Sequence, residues 1–149
     1  MPTTMLSPHF TLDEFTASQT AARMGLLNAP TGQQFENVKR TAATMERVRT
    51  MLGDKPILIS SGYRSPEVNR AVGGASSSAH MSGLAVDFTC PGFGTPLEIC
   101  HHLQPHMAAL DIDQLIHEYG SWVHLGLSAD AARHMALTIN SGGTHTGFA

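Results

Sequence analysis

The sequence predicts an α+β fold in which a small antiparallel sheet packs against helices. Three observations carry that expectation. Between about residues 32 and 52, Phe35, Val38, Ala42, Met45, Val48, Met51 and Leu52 recur at helical spacing. Leu84, Val86 and Phe88 alternate with Ala85 and Asp87, and Val123, Leu125 and Leu127 alternate with Trp122, His124 and Gly126, the period of two of half-buried strands. A second strand, 113–119, precedes the latter across Gly120 and Ser121, which reads as a hairpin. At 149 residues the chain is long enough for one domain with its own core and too short for two comfortable ones, so 1–149 is expected to be a single domain.

The elements follow in order. Thr11-Leu12-Asp13-Glu14 is a capping-box pattern that starts a short helix at Leu12. One or two small helices are expected between Phe10 and Leu27, before a break at Asn28, Ala29 and Pro30. The long helix should be capped by Thr31 and stopped by Gly53, with its methionines as core filler. Ile57, Leu58, Ile59 and Ser60 read as a buried strand after Pro56. A loop follows, and then a short helix from Pro66, a residue suited to a first helical position, to about Val72. Gly73, Gly74, Ala75 and three serines form a flexible approach to His80; candidate site residues on both sides argue against a domain linker there. Thr95-Pro96-Leu97-Glu98 is a second capping box, for a helix to about Leu103. A strand is expected over 134–140, and a loose tail from Ser141.

The chemistry concentrates between Ser76 and Phe88. His80 and Asp87 are separated by six residues, a spacing that suits neither regular structure. On a helix they would sit about 10 Å apart along the axis, and on a strand they would face opposite ways. They meet only if the chain turns between them, which Gly83 allows. The Asp87 strand and the His124 strand each carry one metal-type ligand beside a small residue, Ala85 or Gly126, which leaves room for an ion and a substrate. Two histidines, one carboxylate and an open fourth position make a common catalytic zinc arrangement, one ion per chain. The alternative is a buried hydrogen bond between His80 and Asp87, with His124 an ordinary sheet residue.

These residues carry a family resemblance. Ser78-Ala79-His80, followed by Gly83, Ala85 and Asp87, resembles the Ser-x-His-x-x-Gly-x-Ala-x-Asp motif of the M15 metallopeptidases. Trp122-Val123-His124 resembles that family's second motif, and Ser61-Gly62-Tyr63-Arg64-Ser65 its upstream arginine motif. The likeness is to the small M15_3-type members and runs from roughly His9 to Leu127. It implies a hedgehog/DD-peptidase-like fold and a zinc peptidase acting on peptidoglycan stem peptides or cross-links, among them phage endolysins, carboxypeptidases and D-Ala-D-Ala dipeptidases. It also implies that Arg64 holds the substrate and helps stabilise the oxyanion, a task suited to its fork of donors; the alternative is a surface arginine paired with Glu67. Many M15 enzymes place the catalytic carboxylate three residues before the second histidine. Ser121 stands there in this chain, and Glu118, six before His124, is the expected base; otherwise Glu118 is an edge-strand carboxylate in water. His117 should point to the opposite face. Ser78 either hydrogen-bonds substrate or caps its loop.

His101, His102 and His106 lack a carboxylate or cysteine to complete a metal set and read as surface histidines. Asp111 and Asp113 read as turn residues, with Asp113 alternatively supporting a ligand histidine. Cys90 and Cys100 are too few for a disulfide framework and are expected to be free thiols. With a net charge of −3 and no Lys/Arg cluster, a nucleic-acid partner is excluded. No apolar run approaches the ~20 residues of a membrane span. The start, Met1-Pro2-Thr3-Thr4-Met5, has neither the basic nor the apolar part of a leader. A monomer made in the cytoplasm is expected, acting on the wall after release or carried on a virion. The rival from another class is a non-catalytic binding module whose metal serves stability alone; such a site would be closed by a fourth protein ligand.

Overall fold

The computed structural model describes residues 3–149; Met1 and Pro2, the beginning of the stretch read for a leader, lie outside the described residues. A two-stranded ribbon, β1 (Met5–Ser7) and β2 (Phe10–Thr11), leads into α1 (Leu12–Thr16) and α2 (Gln19–Met24). The expected capping box opens α1: the Thr11 hydroxyl accepts from Glu14 N–H, and the Glu14 carboxylate accepts from Thr11 N–H. The long helix α3 spans Gln33–Met51 and turns Val38, Ala42, Met45 and Val48 inward, all fully buried. Its N-cap departs from expectation. Gly32 takes that position with φ +57° and makes no side-chain cap, leaving the Thr31 hydroxyl outside the helix. The Gln34 side chain reaches back to the Thr31 N–H instead.

A six-stranded sheet follows, in the spatial order β3-β4-β6-β5-β7-β8. Its members are β3 (Leu58–Ser61), β4 (Ala85–Thr89), β5 (Gln114–Glu118), β6 (Trp122–Gly126), β7 (Met135–Asn140) and β8 (Gly143–Thr146). The four strands from β3 to β5 are antiparallel, as expected of the part bearing the site. β7 then joins β5 in parallel. The strand after Pro56 is not buried: β3 is the sheet's edge, and Leu58 is 55% exposed. The tail is not loose either. Asn140 Oδ1 accepts from Gly142 N–H to close a turn, and β8 returns antiparallel along β7. The β5–β6 hairpin turns one residue earlier than read, at Tyr119 and Gly120, both with positive φ, and Ser121 N–H donates to the Glu118 carbonyl.

Helix α4 (Pro66–Ala71) is capped by Ser65, and α5 (Pro96–Leu103) by the Thr95–Glu98 capping box. The apolar residues of β4 and β6 share one core with α3 and α5: Val86, Phe88, Val123 and Leu125 are fully buried against Val38, Met45, Ile99 and Leu103 among others. Burial of such side chains is worth roughly 1.5–3 kcal/mol each, and it fixes which face of each strand is left for chemistry. Both cysteines are free and buried; burial pushes the Cys100 thiol up to about 12. Among the described residues no helix is long and apolar enough to cross a membrane.

Candidate metal centre

The face of the sheet turned away from the core carries the site. In β4 and β6, Asp87 lies directly opposite His124, and Ala85 opposite Gly126. In β5, Ile116 is opposite His124 and Glu118 is opposite Trp122. Period-two alternation therefore places Asp87, His124 and Glu118 on one face. His80 arrives from a short 3₁₀ turn, Ala79–Ser82, whose exit is Gly83 at φ +81°. A Cβ at Gly83 would come within 2.7 Å of the Gln34 carbonyl on α3, so the turn needs glycine for both its conformation and its close approach. Thr41 Oγ1 donates to the Gly83 carbonyl and Asn37 Nδ2 to that of Ser82, tying the turn to α3.

The donor atoms converge. His80 Nε2 lies 3.3 Å, and His124 Nδ1 2.9 Å, from Asp87 Oδ1, and one ligand atom from each of the three residues falls within 4.8 Å of the others. Zinc bonds of about 2.0–2.1 Å at tetrahedral angles put neighbouring donor atoms about 3.3 Å apart, so the spacing suits one such ion. His80 Nδ1 donates to the Gly62 carbonyl at 2.6 Å, which leaves the Nε2 lone pair turned toward Asp87. Burial opposes the charge on Asp87, but hydrogen bonds and charge from His124 and His80 overcome it and hold the carboxyl well below its ordinary range. Two buried imidazoles and a carboxylate kept ionised form a donor set that a zinc ion would satisfy. Among the described residues the group has no fourth histidine, cysteine or carboxylate ligand.

Two further side chains border the three. Glu118 Oε1 is 3.9 Å from His124 Nδ1. Burial raises the Glu118 carboxyl above its ordinary value; His124 and Arg64 oppose this, and Asp87 adds to it. Arg64 Nη2 is 3.7 Å from Asp87 Oδ2 on the other side. Its Nε donates to Ser61 Oγ and its Nη1 to Asn69 Oδ1, and Asn69 is in turn held by donating to the Ala75 carbonyl. Arg64 thus faces the site rather than pairing with Glu67. Ser61, which opens the arginine motif, and Asn69, the fourth residue of the helix capped by Ser65, position it; Asn69 carries no motif of its own in the sequence.

Ser78 resolves toward a cap: its hydroxyl accepts from His80 N–H, while the residue also lines the cleft beside Glu118 and His124. His117 points to the opposite face, where its Nδ1 meets the Ala149 carbonyl. The Ser121 hydroxyl donates to the Tyr119 carbonyl, within the hairpin turn and outside the site. Asp113 supports neither histidine; its carboxylate is gripped by Arg133. Asp111 is a turn residue at φ +57°, paired with Arg40. His101, His102 and His106 are exposed and belong to no metal-type group among the described residues.

The chain matches the family model for Peptidase M15, of the M15_3 type, over residues 8–126. It is also 37% identical over 79 residues to the zinc D-Ala-D-Ala carboxypeptidase of Streptomyces albus G. That match covers 53% of this chain and 30% of the relative.

Proposed function

The chain belongs to the peptidase M15 family, and from that premise we propose that it is a zinc peptidase cleaving bacterial peptidoglycan at stem peptides or their cross-links, as a phage-type endolysin. The observation that carries this reading is the convergence of His80, Asp87 and His124 within 4.8 Å, with Glu118 on one side and Arg64 on the other. His80 through Nε2, His124 through Nδ1 and Asp87 through Oδ1 would hold the ion. Zinc, when bound, supplies a Lewis acid that polarises a peptide carbonyl and acidifies a water.

The chain's own residues do the rest. Glu118 takes the proton of the attacking water and delivers it to the departing amine, the work of a positioned carboxylate. Its burial favours the protonated form and so eases that delivery. Arg64, fixed by Ser61 and Asn69, offers N–H donors to the carbonyl oxygen as it becomes an oxyanion or to a substrate carboxylate. Ser78 orders the His80 turn and borders the substrate. The cleft of about 390 Å³ beside Glu118 and His124 supports a peptide longer than a free dipeptide. In this reading residues 1–149 act as one peptidase domain, a monomer released to the wall after synthesis or carried on a virion.

A second reading, carboxypeptidase action, is favoured by the name of the Streptomyces albus G relative. The test is digestion by zinc-loaded protein of intact sacculi beside free D-Ala-D-Ala and a short pentapeptide, with mass spectrometry of the products. New amino termini from sacculi, abolished by a chelator and restored by zinc, support the endopeptidase. Release of terminal D-alanine alone supports the carboxypeptidase, and hydrolysis of the dipeptide alone a dipeptidase. Inert zinc-loaded protein favours a binding module.

A further inference from the structure

The cleft beside Glu118 and His124 also holds a cation outside the five groups of the site. Its far end is lined by Gln114, Gly126 and Arg133. Arg133 lies beyond the residues matched by the family model, 8–126, so family membership assigns it nothing. Its side chain is largely exposed, yet it is not loose. Nε donates to Asp113 Oδ1 at 2.9 Å and Nη2 to Asp113 Oδ2 at 2.7 Å, and the backbone N–H of Arg133 also donates to Oδ1. Asp113 is itself buried, its N–H donating to the Gly126 carbonyl. The guanidinium is therefore held in one plane by a carboxylate that is anchored to the end of β6. Among the described residues its Nη1 makes no hydrogen bond, so that nitrogen's donors are free, and Arg133 lines the cleft.

Strand register sets the order of groups along the cleft. Glu118 is paired with Trp122, Ile116 with His124 and Gln114 with Gly126, and Arg133 follows through Asp113. At ~3.3 Å per residue, Gly126 lies about 7 Å beyond His124, and Glu118 stands toward the opposite end. A negative group at Arg133 therefore does not face Glu118. Arg64 cannot serve it either, because Arg64 follows β3, across β4 and β6 from this end of the cleft. Gly126 lies between the two ends: a Cβ there would be in contact with His124 Nε2 at 3.4 Å and Gln114 Cβ at 3.9 Å.

We propose that Arg133, clamped by Asp113, is a specificity residue that binds a substrate carboxylate two to three residues from the bond that is cut. The inference rests on the peptidase reading for its substrate and on the cleft geometry for its place. A planar fork already half-engaged by Asp113 suits a single carboxylate rather than a dianion, since the local pair is neutral overall.

The test uses peptides that differ only by a side-chain carboxylate or carboxamide, moved stepwise along the sequence. Binding is measured on zinc-loaded Glu118→Gln protein, and turnover on zinc-loaded wild type. At one position the carboxylate peptide should bind about three- to tenfold more tightly, with the gain in KM rather than kcat and fading with added salt. Arg133→Gln, introduced into each protein, should abolish that preference while leaving affinity for the carboxamide peptide unchanged. Arg133→Lys should restore part of it. A merely structural role for Arg133 would lower the melting temperature but leave the preference intact, and because the preference is a ratio within one protein, partial unfolding does not obscure it. Turnover with no charge preference at any position, or a preference that survives Arg133→Gln, overturns the subsite and leaves the peptidase standing. Charge-dependent binding without hydrolysis by wild type keeps the subsite and removes the peptidase. No binding of either peptide overturns both.

Discussion

The two faces of β4 and β6 obey different rules although nearly every side chain on them is buried. On one face Val86, Phe88, Val123 and Leu125 are fully enclosed and have no polar atom to satisfy. On the other, Asp87 and His124 are almost as enclosed, and the Asp87 carboxylate is answered by both His80 and His124. The core face is specified by volume: any side chain of the right size and polarity would keep it. The site face is specified by donor atoms, by the small residues Ala85 and Gly126, and by a turn that brings in His80. An ionised carboxylate enclosed without partners is costly, so the site face spends stability that the core face supplies. Substitutions on the two faces should separate stability from function, and that separation can be measured.

The largest effect is expected from His80→Ala and His124→Ala. Elemental analysis should show zinc falling from about one per chain to nearly none in each, with hydrolysis lost and the circular dichroism of the fold retained. Full zinc in both variants would break the comparison outright, because the polar face would then have some other purpose.

Glu118→Gln sharpens it. The variant should keep its zinc and lose roughly 10²–10⁴-fold in turnover, the range of a positioned base. Its melting temperature should hold or rise, because burial disfavours the glutamate charge and the neutral amide relieves that cost. Normal turnover would take the role of base away from Glu118.

The opposite pattern belongs to the core face. Phe88→Ala should cost about 3–5 kcal/mol of stability through lost burial and a residual cavity, a fall of about 10 °C or more in melting temperature. The fraction still folded should turn over at nearly the wild-type rate. A large loss of kcat in folded Phe88→Ala protein would show that the two faces are not separable.

The smallest effect concerns Asp113 at the cleft's rim. Hydrogen bonds from Arg133, outweighing burial, hold its carboxyl below the ordinary value of 3.8. A depressed folded value means that the native state keeps a charge the unfolded chain gives up first. Its contribution to stability is therefore complete above about 3.8 and declines as pH falls through the folded value. Denaturant unfolding of wild type and Asp113→Asn between pH 7 and 3 should show a difference that is constant at neutral pH and shrinks in acid. A difference that grows in acid would refute the pairing's sign.

Much of this was legible in the chain because it is written locally. The Thr11–Glu14 and Thr95–Glu98 capping boxes, the α3 stripe and the alternation around Asp87 and His124 all rest on contacts within four residues or on a period of two. The three candidate ligands were readable for the same reason: seven positions with a glycine between His80 and Asp87 require a turn, and alternation puts Asp87 and His124 on the non-core faces of their strands. Glu118 and Arg64 came instead from likeness to a family, and the structure brings both to within 4 Å of the ligand group.

What only the tertiary structure decided are the matters of adjacency. Nothing local says that β3 is an edge, so Leu58 read as buried and is half exposed. Thr31 has the chemistry of a cap, but the backbone at Gly32 directs it away. Ser141 onward has the composition of a loose end, yet β7 lies beside β5 with its outer edge free, and unpaired backbone groups there draw the tail into β8. Asp113 read as a turn residue because its partner is twenty positions away on a loop that meets it only when β7 aligns parallel to β5. Propensity and periodicity are properties of a few consecutive residues, whereas strand order is chosen by how the whole set of apolar faces can be buried at once. The sequence alone therefore determined which side chains can do chemistry here. The packing of the sheet determined which of them meet.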